Sequence, residues 1–426
     1  MKVKIILSLF FTTVLFADIS DENTCFDCHQ LMDEDLEQNE KVFENILEDI
    51  HLQVGLSCTD CHGGNSKTDD EDEAMWDDPT FRGKISKIDQ PEICGSCHSD
   101  PQYMRQFISS VKTDQVSQYW TSQHGKDLKK GVEKVAACTD CHGLHGIIKA
   151  NDPRSKVYPL NLPTTCSSCH SDLEYMESFG IPTDQYYLYR SSIHGTSLLD
   201  EQHLSAPACN DCHGNHGALP PDVVHIGDIC GSCHVNNNAL FQKSHLNEIF
   251  LTRGIGQCEA CHGNHGVKSP TDEYLNWEHG AVCVQCHQTG GLPKDLADYF
   301  YHSIDSLKGR IKLAQDLLHE AEQKGMEVSD LYFSVEESQK MLIQSRTNIH
   351  SFNKEFISKT AEAGFKSADQ AIEGASAALF EFNDRRKWLF LSSLIITILA
   401  TTVYFKIRDL DRRDLRKNKT KGEEDD

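Results

Sequence analysis

The sequence predicts a mainly α fold with extensive loops: a long domain of short helices, then a helical bundle, then one C-terminal transmembrane helix. Three observations lead there. All 18 cysteines fall in nine copies of Cys-x-x-Cys-His. Apolar residues recur by threes and fours from about residue 294. An apolar run, Trp388 to Phe405, lies near the C-terminus.

Cys-x-x-Cys-His is the attachment signature of c-type haem. The two thiols form thioethers to the haem vinyl groups, and the adjacent imidazole ligates the iron. The cysteine pairs are Cys25/Cys28, Cys58/Cys61, Cys94/Cys97, Cys138/Cys141, Cys166/Cys169, Cys209/Cys212, Cys230/Cys233, Cys258/Cys261 and Cys283/Cys286. The proximal ligands are His29, His62, His98, His142, His170, His213, His234, His262 and His287. A disulfide framework or zinc knuckles would not require a histidine after every second cysteine. The expected cofactor is haem c, nine copies, covalently attached.

The 426 residues leave room for two or three domains. Only 38% are hydrophobic, low for an ordinary core. Haem macrocycles make up the shortfall, since a short loop-rich segment can pack around each. The net charge of −24 argues against nucleic acid, which needs basic patches. It suits either a basic redox partner or a merely solvated acidic surface.

Residues 1–17 read as a signal peptide, with Lys2 and Lys4 before an apolar Ile5 to Phe16. Ala17 suits the cleavage site and Leu15 does not, so retention as an anchor is the alternative. Export fits the chemistry, because c-type haem is attached outside the cytoplasm. Residues 18–293 form the nonahaem domain, organised by internal repeats. One unit runs from His124 (Ser-Gln-His-Gly) through CTDCHGLHG to CSSCH at Cys166. The next runs from His194 through CNDCHGNHG to CGSCH, and a third from His245 through CEACHGNHG to CVQCH. An earlier unit, His51 with Cys58 and Cys94, is degenerate, with Asn65 where the others carry histidine. Scattered prolines and glycines break this domain into short helices and turns. The acidic run Asp69 to Glu73 is most simply a solvated loop, with metal or partner binding as the minor reading.

Each full unit carries two haems and two histidines outside its motifs: His124 and His145, His194 and His216, His245 and His265. Their repeating positions mark them as distal axial ligands, and His51 joins them. Nine haems need nine distal ligands, and this set supplies seven. His225 and His279, each shortly before a motif, complete the count, with His203 and His302 in reserve. Met32 could instead ligate a haem and raise its potential.

From residue 294 to 387 the pattern is a helical bundle or stalk. Ala297, Phe300, Ile304, Leu307, Ile311, Ala314, Leu318 and Ala321 mark a first helix, with Gly325 at its end. Val328, Leu331, Val335, Leu342 and Ile349 mark a second, and Phe365, Ala368, Ile372, Ala375, Leu379 and Phe382 a third. His302, His319 and His350 read as polar helix residues, with His302 the exception nearest the last motif. Residues 388–405 are long and apolar enough for a transmembrane helix, with Trp388 and Tyr404 at the interfaces. The tail, 406–426, is basic and then acidic. Its lysines and arginines outnumber those at Arg385, Arg386 and Lys387, so the positive-inside rule puts the C-terminus in the cytoplasm and the haem domain in the periplasm.

The repeated CxxCHGxHG, the Ser-x-His-Gly segments and DPRSKVYPLNLPTTCSSCH resemble the multihaem c-type cytochromes with doubled CXXCH motifs, over roughly residues 25–287. The first two motifs are also similar to those of membrane-anchored tetrahaem quinol dehydrogenases, which carry the anchor at the N-terminus rather than the C-terminus. The resemblance implies a membrane-anchored haem wire between membrane carriers and periplasmic or external acceptors. Partners would be redox proteins, among them a quinol-oxidising membrane subunit. The competing reading is a multihaem reductase of a nitrogen or sulfur oxyanion. Such enzymes need an open iron, often flagged by Cys-x-x-Cys-Lys, which does not occur here. The third reading is a redox or gas sensor signalling through the bundle, and the short tail beyond Phe405 weighs against it.

Overall fold

The computed structural model describes residues 23–32, 46–110, 112–220 and 226–422. The signal peptide read at 1–17 and the candidate ligand His225 lie outside them. The described chain is mainly helical, and no strand occurs among these residues. It divides into two compact units: residues up to 226 with 262–269, and residues 227–261 with 270 onward.

In the first unit five of the six motifs sit on two kinds of short helix. Cys58–His62, Cys138–His142 and Cys209–His213 each begin on the first cysteine. The aspartate before the second cysteine folds back to cap its own helix. Asp60 accepts the Ser57 N–H at 2.6 Å, Asp140 that of Ala137 at 2.7 Å and Asp211 that of Ala208 at 2.7 Å. This is the acidic half of a capping box, and it also sets a negative charge at the positive end of the helix. The glycine after the histidine stops the helix in a backbone region closed to most side chains, with φ 69° at Gly63. A Cβ there would also lie 1.9 Å from the Thr80 carbonyl oxygen. The second kind, Gln90–His98 and Leu162–His170, ends on the histidine instead. Pro91 and Pro163 start these helices, where a missing N–H costs nothing.

A third element carries the Ser-x-His-Gly histidines. Helices Gln123–Lys129 and Ile193–Leu199 are capped by Ser122 and Ser192. Each hydroxyl accepts a glycine N–H, from Gly125 at 2.9 Å or Gly195 at 3.0 Å. Each also donates to a tyrosine carbonyl, Tyr119 at 2.6 Å or Tyr189 at 2.7 Å. The tyrosine hydroxyls in turn donate to the Ala136 and Pro207 carbonyls, both at 2.8 Å. Each histidine helix is thereby strapped to the backbone just ahead of the next motif. The helix packs so close that a Cβ on Gly195 would lie 2.0 Å from the Tyr189 carbonyl oxygen.

The second unit contains the bundle, with helices Leu292–Gln323, Ser329–Asn348 and Lys354–Gly422. Every apolar position read for the first helix is buried, from Ala297 to Ala321. Ala361, Ala368, Ala371 and Ala375 give the third helix a small-residue face that allows close packing. Ser338 donates to the Gly364 carbonyl at 2.8 Å, satisfying its buried hydroxyl. The third helix runs on without a break through Trp388 to Phe405, none of it covered by protein. That stretch is long and apolar enough to cross a membrane.

Candidate metal centres

The first unit brings the motif histidines and the repeat histidines together in pairs. Ring centroids lie 6.0 Å apart for His51 and His98, 5.9 Å for His62 and His145, and 6.1 Å for His124 and His170. They lie 6.1 Å apart for His142 and His216 and 5.9 Å for His213 and His265. With a metal–imidazole bond of about 2 Å on each side, two opposed ligands put their ring centres roughly 6 Å apart. The rings are therefore spaced for one iron between them. Zinc would need four protein ligands. Among the described residues no group of three or more His, Cys, Asp or Glu side chains is placed to hold a metal. Two opposed imidazoles beside a cysteine pair fit haem, whose macrocycle provides the other four nitrogens.

The pairing follows a rule. A motif followed by Gly (His62, His142, His213) faces the histidine of the next unit's His-Gly segment (His145, His216, His265). A motif ending a longer helix (His98, His170) faces the histidine helix of its own unit (His51, His124). One backbone hydrogen bond recurs to hold this register. The N–H before each helix histidine reaches the carbonyl two residues past the His-Gly histidine: Ile50 to Ile147 at 2.8 Å, Gln123 to Ala218 at 2.9 Å, Ile193 to Val267 at 2.8 Å.

A ligand imidazole must be neutral, and burial favours that form. Burial lowers the pKa of His98, His124, His170, His216 and His265, and pushes His142 down to about 4. His62 Nδ1 donates to the Gly83 carbonyl at 2.8 Å and His213 Nδ1 to that of Leu219 at 3.1 Å, orienting each ring. His51 differs. Asp49 replaces the capping serine, and one carboxylate oxygen takes both the His51 N–H and Nδ1, each at 2.9 Å. The other oxygen takes the Gly146 and Ile147 N–H groups at 2.8 and 2.9 Å. Burial opposes the charge on Asp49, but these four donors outweigh it and hold the carboxyl down to about 2.

The cysteines of successive motifs also lie side by side. The first thiols lie near one another in couples, Cys25 with Cys58, Cys94 with Cys138 and Cys166 with Cys209, and in the second unit Cys230 with Cys258. Between couples, desolvation by the surrounding protein first, and then the neighbouring thiols, raise Cys61 (Cys94 and Cys97), Cys141 (Cys166 and Cys169) and Cys261 (Cys283 and Cys286). Attachment sites adjacent in sequence are thus adjacent in space within each unit.

The two cysteines of a motif, equivalent in the sequence reading, are not equivalent in the structure. The first cysteine of every motif is half-buried, whereas Cys28, Cys61, Cys212, Cys233 and Cys286 are exposed. Cys97, Cys141, Cys169 and Cys261 stay half-buried. None of the 18 cysteines forms a disulfide, so the thiols remain available for thioethers.

The remaining candidates are placed less tightly. His194 occupies the helix position equivalent to His124. His245 opens helix His245–Arg253 with its ring against Phe352 at 6.5 Å. His29 lies on helix Thr24–Met32, His262 ends helix Glu259–His262, and His287 follows the 3-10 turn Val282–Gln285. His234 starts the chain into helix Val235–Gln242. His279 is at the surface, its side chain 70% exposed and bonded by Asn276 and Glu273. His203 and His302 are exposed. Asp70 uses its carboxylate to cap Asp72 and Glu73 in the acidic run, which stays at the surface. Sequence reasoning passed over the aspartate inside the motif, the Tyr-x-x-Ser strap and Asp49. The recurrence of Tyr-x-x-Ser-x-His-Gly at Tyr119 and Tyr189 was a legible signal for the strap.

Residues 44–143 match the family model for cytochrome c7 and related cytochrome c. The chain is also similar to the multiheme cytochrome MtrA of Shewanella baltica (strain OS185), 24% identical over 278 residues, which covers 63% of this chain and 67% of the relative. No solved structure gives a significant match. Together these likenesses support a multihaem c-type cytochrome, with covalently bound haem and electron transfer as its general role.

Proposed function

We propose that the chain is a membrane-anchored nonahaem c-type cytochrome that relays electrons between a membrane carrier or quinol-oxidising partner and periplasmic or external acceptors. Residues 18–293 carry the haems, 294–387 form the stalk, 388–405 cross the cytoplasmic membrane, and 406–426 lie in the cytoplasm. The observation that carries this reading is the set of five histidine pairs at the spacing of an imidazole–iron–imidazole unit. Bound haem supplies a one-electron iron couple, kept low in potential by two histidines. The polypeptide would fix spacing and ligation: the cysteine couples would hold neighbouring haems close together, and each of the five histidine pairs would offer two imidazoles to one iron, which would then pass electrons rather than bind a substrate.

The test is turnover of the purified full-length protein with a quinol analogue and with nitrogen and sulfur oxyanions, following haem reoxidation. Relay predicts reduction by the quinol-side partner and slow, non-saturating reoxidation by oxyanions. Saturable oxyanion turnover would establish the reductase instead. Intact mass should show nine haem additions and no free thiol, and seven or fewer would end the nonahaem reading.

A further inference from the structure

Helix Leu162–His170 carries the motif of Cys166 and Cys169, and two shorter helices pack against it, Leu173–Glu177 and Gln185–Arg190. Between the first of these and the chain entering the second lies a groove of about 550 Å³. We propose that this groove is the docking port of a basic redox protein, which inserts an apolar side chain there and exchanges electrons with the haem on Cys166 and Cys169. This rests on the haem-relay reading above and gives the chemistry of one partner.

The groove is built before any partner arrives. Asp172 accepts the Tyr175 N–H at 2.9 Å and so caps Leu173–Glu177. The Tyr175 hydroxyl donates to the Lys134 carbonyl, and the Lys134 ammonium lies 4.5 Å from its ring centre. Met176 is buried, and Phe179 packs on Leu128, Val135 and Ala137. A port that is already rigid loses little freedom on binding. Its walls are apolar and uncovered: Leu173 is 76% exposed and Ile181 39%. Glu174 and Glu177 line it as well, both exposed. An apolar centre within a polar rim is the anatomy of a protein interface.

The preceding unit supplies a comparison. Its copy of the element reads CHSDPQYMRQF, against CHSDLEYMESF here. The framework is the same: Asp100 caps helix Pro101–Met104, and Met104 is buried as Met176 is. Pro101, Gln102 and Arg105 stand where the groove has Leu173, Glu174 and Glu177. The residues that fold the element recur, whereas the leucine wall and both carboxylates belong to the second copy. Arg105 reverses the charge, so a basic partner is turned away from the first copy and drawn to the second. The carboxylates also choose the occupant. A partner with lysines or arginines around its apolar anchor is complementary to them, and the net charge of −24 steers it in. A second copy of this chain carries the same −24 and would be repelled.

The experiment uses the full-length protein with its haems reduced, and follows electron transfer by stopped flow at low and high salt. The probes are ferric mitochondrial cytochrome c, a basic haem protein, and the same protein succinylated, which makes its lysines acidic. One electron passes from a ferrous haem to the ferric probe, with no bond made or broken. Wild type should reduce the basic probe fast, more slowly as salt rises, and the succinylated probe slowly. Glu174→Gln/Glu177→Gln should lower the rate with the basic probe by roughly tenfold at low salt and flatten its salt dependence. Leu173→Asn should lower the rate at both salts. Asp69→Asn/Asp77→Asn removes the same charge from the acidic run and should match wild type. Haem count by mass and melting temperature check that each variant is folded. Wild-type rates in both groove variants would overturn the port. So would an equal loss in Asp69→Asn/Asp77→Asn, which would reduce the effect to overall charge. Lost oxidation of a quinol analogue in the groove variants, with unchanged rates to the basic probe, would give the groove to a small molecule instead. Saturable oxyanion turnover would defeat the relay reading, while the rate comparison would still decide the port.

Discussion

Asp49 shows how a single side chain can set one site apart from its copies. In the later units a neutral serine caps the histidine helix, whereas here a carboxylate both caps the helix and hydrogen-bonds the imidazole. A carboxylate behind a ligand histidine makes it more basic and favours the more positive metal. The haem proposed for His51 and His98 should therefore be among the lowest in potential. Asp49→Asn keeps the shape and removes the charge. A tenfold loss of preference for the ferric state corresponds to about 59 mV for a one-electron couple, so one haem should rise by several tens of millivolts. Spectroelectrochemical titration checks this, and an unchanged set of potentials would show that Asp49 acts only as a cap. His216→Ala probes the pairing itself. It should convert one haem, the one on His142, from low to high spin, and an unchanged spectrum would make the 6.1 Å pair structural.

At the scale of the element, the histidine helices work because they are short and tightly strapped. Gly195→Ala would drive a Cβ to 2.0 Å from the Tyr189 carbonyl oxygen, so helix and tyrosine must separate. Overpacking of this kind costs about 1–3 kcal/mol, and His194 would move with its helix. The expected result is a lower melting temperature together with an altered haem spectrum, and a variant with wild-type melting and spectrum would contradict the strap. In the second unit, the 3-10 turn Asp272–Leu275 is pinned to the bundle by Asp272. Its carboxylate takes Arg346 Nε at 2.9 Å and Nη2 at 2.8 Å, with Lys308 Nζ at 3.5 Å. Burial opposes this charge, but Arg346 and Lys308 outweigh it and hold the carboxyl below its ordinary value. A folded-state pKa below the unfolded one gives stability that is complete above the ordinary carboxylate range and lost as pH falls through the lower value. The pair should contribute about 1 kcal/mol. Melts from neutral pH down through about 4 should show that loss in the wild type and a shallower dependence in Arg346→Ala. Equal slopes would remove Asp272 from the account.

Across the whole molecule, what was legible in the sequence is what repeats locally. The motif helices, the heptad positions from Ala297 to Ala321 and the apolar run from Trp388 are written in neighbouring residues, and the structure folds them as helices. The pairing of histidines is not local: Asp49 reaches Gly146 across 97 residues, and no short pattern encodes such a reach. Nor does the motif say which thiols turn outward, since Cys28, Cys212 and Cys233 stand in the same local pattern as the half-buried Cys97 and Cys141. The membrane assignment joins both kinds of information. The third bundle helix packs its Ala361, Ala368 and Ala375 face inside the stalk and then, in the same continuous helix, exposes Trp388 to Phe405. Bundle and apolar stretch separate cleanly near Arg385, because the small-residue face ends before it. Truncation before Arg385 should therefore leave the bundle folded and the haem count unchanged while releasing a red, soluble protein from membranes. Appending Trp388 to Phe405 alone to an exported reporter should be enough to hold it there. A truncated form that still sediments with membranes after its signal peptide has been removed would move the anchor elsewhere in the chain.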